Sequence, residues 1–224
     1  HYYLILLLCW MMTLLPADRV LAVDRLGDSR RPRLIPQWCV WLVRFHVAIP
    51  YFFGGVAKIT PDWLQGQPMR MTLSQQDWFP AVSSVTGTEP IVMLFSYGGL
   101  VFDLVIVPAL LFRRTRPIAY AVAVAFHLMN SHVFPIGVFP WLMIGASTIF
   151  FDPDWPRLFL RSTGCDQAEI PPATPDGRRS VILGGLIICA TFHCLIPLRH
   201  LLTFEDPGWT ERGHCFSWHM MLRG

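Results

Sequence analysis

Six long apolar runs, set apart by polar or proline-rich connections, dominate the chain: Tyr2–Leu15, Trp38–Val56, Ile91–Phe112, Ile118–Met129, Val133–Phe151 and Val181–Leu198. Most approach the roughly 20 residues that an α-helix needs to span the hydrocarbon of a bilayer. The pattern predicts an all-α protein, a polytopic transmembrane helical bundle of about six membrane segments. Ile118–Met129 is short and runs through Asn130-Ser131-His132 almost directly into the next run. Those two segments are expected to form either a tight hairpin or a partly re-entrant pair. Pro50, Pro108 and Pro140 fall inside or near the runs, where neighbouring helices can satisfy the carbonyls that proline frees. The stretch from Pro171 to Gly177 reads as a surface linker.

Composition agrees with a lipid setting. Of 224 residues, 53% are hydrophobic and only 15% charged, against about 25% charged in soluble domains. Many of the nine Trp and sixteen Phe lie near the ends of the runs, where an interfacial aromatic belt belongs. A net charge of +3 is too small to point to nucleic acid. The length suits one domain, 1–224, a single transmembrane helical unit. Because His1 opens straight onto an apolar run with no basic region and no cleavage site, the chain reads as a piece truncated at its N-terminus rather than one led by a signal peptide. Cys9, Cys39, Cys165, Cys189, Cys194 and Cys215 are scattered without a zinc-type spacing and read as small buried hydrophobes.

The positive charges are unevenly distributed. Twelve lie in the odd-numbered connections: Arg19, Arg25, Arg30, Arg31, Arg33, Arg113, Arg114, Arg116, Arg157, Arg161, Arg178 and Arg179. The other side holds five, Lys58, Arg70, Arg199, Arg212 and Arg223. The positive-inside rule then makes the odd connections cytoplasmic and gathers Lys58, the Asn130 turn, the tail and His1 at the opposite face.

Several polar residues in or beside the runs are candidates for chemistry. Tyr51, Gly54, Gly55 and Lys58 share one helical face by steps of three and four. Two glycines there admit a close helix or a flat ligand. Loss of solvation at that depth disfavours an ammonium and would leave Lys58 a base; the plainer alternative is a lysine snorkelling to the interface. His127 and Asn130, three apart, also share a face and are either functional or bonded to a neighbouring backbone. Arg44 and Asp103 lie within different runs and are expected to pair as a structural ion pair. Cys189, His193 and Cys194 match no strong metal spacing.

Tyr51-Phe52-Phe53-Gly54-Gly55-Val56-Ala57-Lys58-Ile59-Thr60-Pro61-Asp62-Trp63-Leu64-Gln65-Gly66 resembles a stretch of the vitamin K-dependent gamma-carboxylase family. So do Phe126-His127-Leu128-Met129-Asn130-Ser131, Ile136-Gly137-Val138-Phe139, the opening His1-Tyr2-Tyr3-Leu4, Val23-Asp24-Arg25-Leu26, and Phe216-Ser217-Trp218-His219-Met220-Met221. In this order they cover nearly the whole chain and are similar to the family's horizontally transferred transmembrane domain. Ala57 stands where the vertebrate enzyme has a second Lys, and His219 where a family sequence has Asp. The family's soluble C-terminal domain, which grips the substrate propeptide, is expected to be absent.

The resemblance implies a carbon–carbon lyase that oxidises reduced vitamin K, or a related hydroquinone, with O2 to its epoxide. That oxidation drives carboxylation of protein glutamate with CO2, in the bilayer, with no metal. Lys58 matches the family's catalytic lysine, which deprotonates the hydroquinone, and His1 matches a histidine used at the same site. His127, Asn130 and His200 match positions in or near the quinone pocket; Tyr51, Gly54 and Gly55 join them as candidate quinone contacts from their shared face. Two readings of other classes stand beside this one. One is a non-catalytic membrane anchor or sensor; the other is a quinone- or haem-binding electron carrier using His127 and His193.

Overall fold

The computed structural model describes residues 2–16, 35–74, 88–152, 155, 176–199 and 218. All six apolar runs are helical. They form α1 (Tyr2–Leu14), α2 (Gln37–Ala57), α5 (Glu89–Leu111), α6 (Arg116–Val133), α7 (Phe139–Ser147) and α8 (Asp176–Leu198). Among the described residues, two short helices, α3 (Pro61–Leu64) and α4 (Gln67–Ser74), follow α2. Among the described residues there is no strand. Three helices among the described residues, Gln37–Ala57, Glu89–Leu111 and Gly177–Arg199, are long and apolar enough to cross a bilayer. The other runs give shorter or more polar helices. The nine residues of α7, extended by the 3-10 turn Thr148–Phe150, rise only about 13 Å in α-helical form, short of a roughly 30 Å core. It packs back on α6 through a turn at Gly137, whose φ of 59° suits glycine.

The bundle is built around α2 and α5. Their approach is set at Gly55, where a Cβ would stand 2.7 Å from Leu104 Cδ2. The main core joins Leu4, Val47, Tyr51, Ile106, Leu110, Ala119, Met143 and Phe150. A second cluster, Trp63, Met69, Leu73, Val92 and Val133, gathers the α3–α4 connection, the start of α5 and the end of α6 at one end of the bundle. Outward-facing apolar side chains such as Leu94, Val105, Ile118, Trp141 and Ile188 are exposed, as expected of surfaces that meet lipid.

The opposite end is tied by arginines. The carbonyls at the C-terminus of α5 have no intrahelical partners. Thr115 Oγ1 donates to Ala109 O at 2.6 Å, and Arg116 donates to Leu110 O at 2.9 Å and Leu111 O at 3.2 Å. Asp152 meets both Arg113 and Arg116, at 3.1 and 3.4 Å. Arg44, expected to pair with Asp103, instead donates to the carbonyls of Ile149, Phe150 and Phe151 at 2.9–3.4 Å. The register of α2 is the reason: Arg44 lies fourteen residues before Lys58, about 21 Å along the axis, and it is Lys58 that reaches Asp103.

Candidate functional site

Lys58 is the first residue past α2, its N–H bonded to Gly55 O at 3.0 Å. Its Nζ donates to Gly54 O at 3.4 Å and pairs with Asp103 Oδ2 of α5. The side chains are 15% and 10% exposed, so the pair is largely removed from solvent. The Lys58 head group is therefore held in place by Asp103 and Gly54 O rather than free to snorkel. Gly54 leaves the room that the carboxylate uses, since a Cβ there would lie 3.3 Å from Asp103 Oδ2. Trp63 covers the pair, its ring centroid 5.2 Å from Lys58 Nζ.

The cover is fixed by local sequence. Thr60 caps α3, with Pro61 in the first turn. Trp63 Nε1 donates to Ser96 O at 2.9 Å, and Ser96 Oγ returns a bond to Trp63 O at 2.5 Å. Both residues are buried. The short helix is thus clamped to α5 directly above the Lys58–Asp103 pair.

Two turns back along α2, Tyr51 meets His127 of α6. Tyr51 Oη lies 2.7 Å from His127 Nε2 and 3.1 Å from Ser147 Oγ of α7. Phe102, Phe126 and Phe139 surround the imidazole, with ring centroids 5.6–6.4 Å away. The bond from His127 is therefore to a side chain rather than to a neighbouring backbone. Its buried Nδ1 has no hydrogen-bond partner among the described residues. Asn130, one turn further on α6, is half-buried, and exposed His132 bonds back to Leu128 O at 2.8 Å.

Tyr51, Gly54, Gly55, Lys58 and His127 thus converge on the α2–α5–α6 contact, with Gly55 occupied in helix packing against Leu104. Spacing alone does not link Asp103 to Lys58, and Trp63 stands out in the sequence only within a matching stretch. His1 and His200 lie outside the described residues. His193 of α8 belongs to a separate group with Cys189 of the same helix and His46 of α2; it is not brought to His127, so the geometry does not assemble the two as haem ligands. Cys194 is not part of that group, whereas His46, unremarked in the sequence, is.

Comparison with known families gives two matches. The HTTM domain model matches residues 1–155, and the model described as vitamin K-dependent gamma-carboxylase, lumenal domain, matches residues 178–224. No solved structure matches the chain.

Proposed function

The chain belongs to the HTTM-domain family and is a gamma-carboxylase-like membrane protein, and from that premise we propose that it oxidises a reduced vitamin K or related hydroquinone with O2 to the epoxide, coupled to carboxylation of protein glutamate with CO2. The observation that carries this reading is the Lys58–Asp103 pair, enclosed by Trp63 and held at the end of α2. A lone amine in this position would have to be neutral to act as a base. Paired with Asp103 it need not lose its proton to solvent. With the proton on the carboxylate the pair is uncharged, as suits a medium where isolated charges are costly, and the amine is free to take the hydroquinone proton; the ammonium then formed is balanced by the hydroquinone anion. Asp103 is then a positioning residue and a temporary proton store, while Lys58 is the group that touches substrate.

His127 supports the same reading. Its Nδ1 is a buried nitrogen without a partner among the described residues, available to a quinol or quinone oxygen, and the rings of Phe102, Phe126 and Phe139 supply the apolar flanks that a flat redox lipid needs. Excluding water would keep the strongly basic oxygen formed during oxidation reactive toward the weakly acidic glutamate γ-carbon. The arginine-rich end of the bundle is assigned to the cytoplasm by the positive-inside rule, which puts this site toward the non-cytoplasmic face.

The test is epoxide formation by the complete protein in membranes, with and without a glutamyl peptide. Lys58→Ala should abolish hydroquinone-dependent epoxidation, and a small exogenous amine should restore part of it. Full activity in the alanine variant would remove Lys58 from the mechanism. Carboxylation of the peptide identifies glutamate as acceptor; epoxide without carboxylation would confine the activity to quinone oxidation.

A further inference from the structure

We propose that His46 of α2 and Cys189 and His193 of α8 form a binding site for one thiophilic d10 cation, Zn2+ or Cu+. One ligand atom from each residue lies within 4.8 Å of the others. Cys189 Sγ is 3.8 Å from His46 Nε2 and 3.6 Å from His193 Nδ1. With metal–sulfur bonds of about 2.3 Å and metal–nitrogen bonds of about 2.0 Å, tetrahedral coordination sets sulfur and nitrogen roughly 3.5 Å apart. The first of those spacings needs to close only slightly around an ion.

His46 is prepared for the task. His46 Nδ1 faces its own helix's Leu42 carbonyl at 2.7 Å, which makes it the protonated nitrogen and turns the Nε2 lone pair toward the thiol. His193 Nδ1 faces both the Cys189 carbonyl at 2.8 Å and the Cys189 thiol at 3.6 Å, so a turn of this ring, which frees Nδ1 or brings Nε2 round, completes the ligand set. A backbone carbonyl that holds the second ring nitrogen is the usual outer support of a metal-bound imidazole. Cys189 and His193 are one turn apart on α8, so both reach α2 from one face. His46 is buried and the other two are half-buried.

Three protein ligands leave a fourth position. The two imidazoles also line a small apolar cavity with Tyr3, Leu7, Ile49, Ile196 and Trp218. Two neutral imidazoles and a thiolate select borderline or soft ions over Mg2+ or Ca2+. Binding releases the thiol proton to solvent, and no redox step is involved. The site lies twelve residues from Lys58 on α2, about 18 Å along the axis, and does not depend on the quinone chemistry proposed above.

The complete protein in detergent, stripped by a chelator, would be titrated with Zn2+, with Co2+ as its spectroscopic stand-in, and with Cu+ under reducing, anaerobic conditions. The expected result is one ion per chain and, with Co2+, a thiolate-to-metal absorption band. Bound Zn2+ or Cu+ should slow maleimide alkylation at Cys189 at least tenfold while leaving Cys9 unchanged. Cys189→Ser should abolish the band, and His46→Ala and His193→Ala should each weaken binding at least tenfold. Lys58→Ala should bind as the parent does. Tight Co2+ and Zn2+ binding identifies a zinc-type site; Cu+ binding alone identifies a copper one. Because the parent chain is itself the main test, a variant that fails to fold does not rescue the proposal: native helicity, no stoichiometric ion and unprotected Cys189 would reduce the cluster to a thiol–imidazole contact and overturn it.

Discussion

Lys58 and Asp103 pair side chain to side chain across the contact of the two central helices. Removing one partner leaves the other desolvated and unpaired. Asp103→Leu is therefore expected to destabilise the protein by about 3 kcal/mol or more, whereas Lys58→Met combined with Asp103→Leu should recover most of that loss. Unfolding in detergent, followed by helicity, measures both. A double variant no more stable than Asp103→Leu alone would mean that the two groups are not energetically coupled. Asp103→Asn, which keeps the shape but accepts no proton, should lower epoxide formation even where folding is intact.

Gly55 and Gly98 separate close packing from helix propensity. A methyl at Gly55 would meet Leu104 Cδ2 at 2.7 Å and Cγ at 2.9 Å, while one at Gly98 meets nothing within 4 Å. Overpacking a fitted contact costs about 1–3 kcal/mol, and the flexible end of Leu104 should keep Gly55→Ala near the lower figure. Gly98→Ala should be neutral or slightly stabilising, because alanine is the better helix former. Thermal unfolding of the two variants in the same detergent makes the comparison. Equal stability would show that α2 and α5 do not depend on the missing side chain at Gly55.

The six helices were legible because apolar run length is a strong signal, and each run falls on a helix with ends displaced by a few residues. The number of crossings was less so: α7 is a short helix and a 3-10 turn within one continuous apolar run. The four-residue α3 is too short to show periodicity, although Thr60-Pro61 is a recognisable start. In the sequence Asp103 looks like a partner of Arg44, because the two are mid-run charges of opposite sign. Which cation meets it depends on the level at which α2 crosses α5, and that is decided by Gly54, Gly55 and Leu104 in three dimensions. His46 illustrates the same limit, since a single histidine in an apolar run has no visible partner until α8 is docked.

Arg44 satisfies carbonyls rather than a carboxylate, and its geometry distinguishes it from lysine. Its guanidinium spreads over Ile149, Phe150 and Phe151 carbonyls with Nε and Nη2 donating separately. A lysine presents one compact charge and cannot reproduce that fork. Arg44→Met should cost about 1–3 kcal/mol for the carbonyls left unpaired, and Arg44→Lys should restore only part of it. Denaturant unfolding of the three proteins gives the ranking. Full recovery in the lysine variant would show that charge, not the planar array of donors, is what this end of the bundle requires.

The Tyr51–His127–Ser147 group joins α2, α6 and α7 through side chains alone. Tyr51→Phe leaves His127 Nε2 without the hydroxyl and strands a second buried nitrogen beside Nδ1. Side-chain hydrogen bonds between membrane helices are worth about 0.6 kcal/mol on average and seldom above about 1.7, so a loss near 1 kcal/mol is expected. His127→Leu removes the imidazole and leaves the tyrosine hydroxyl its bond to Ser147. Because the contact is lost in either single variant, the double variant should be more stable than additivity predicts, by about the coupling energy. Additive effects in detergent unfolding would mean that the 2.7 Å contact contributes nothing to stability. Epoxide assays on the same variants separate this structural role from a part in quinone binding. If His127 meets the quinone, His127→Leu should raise the hydroquinone KM more than Tyr51→Phe does, whatever their relative stabilities.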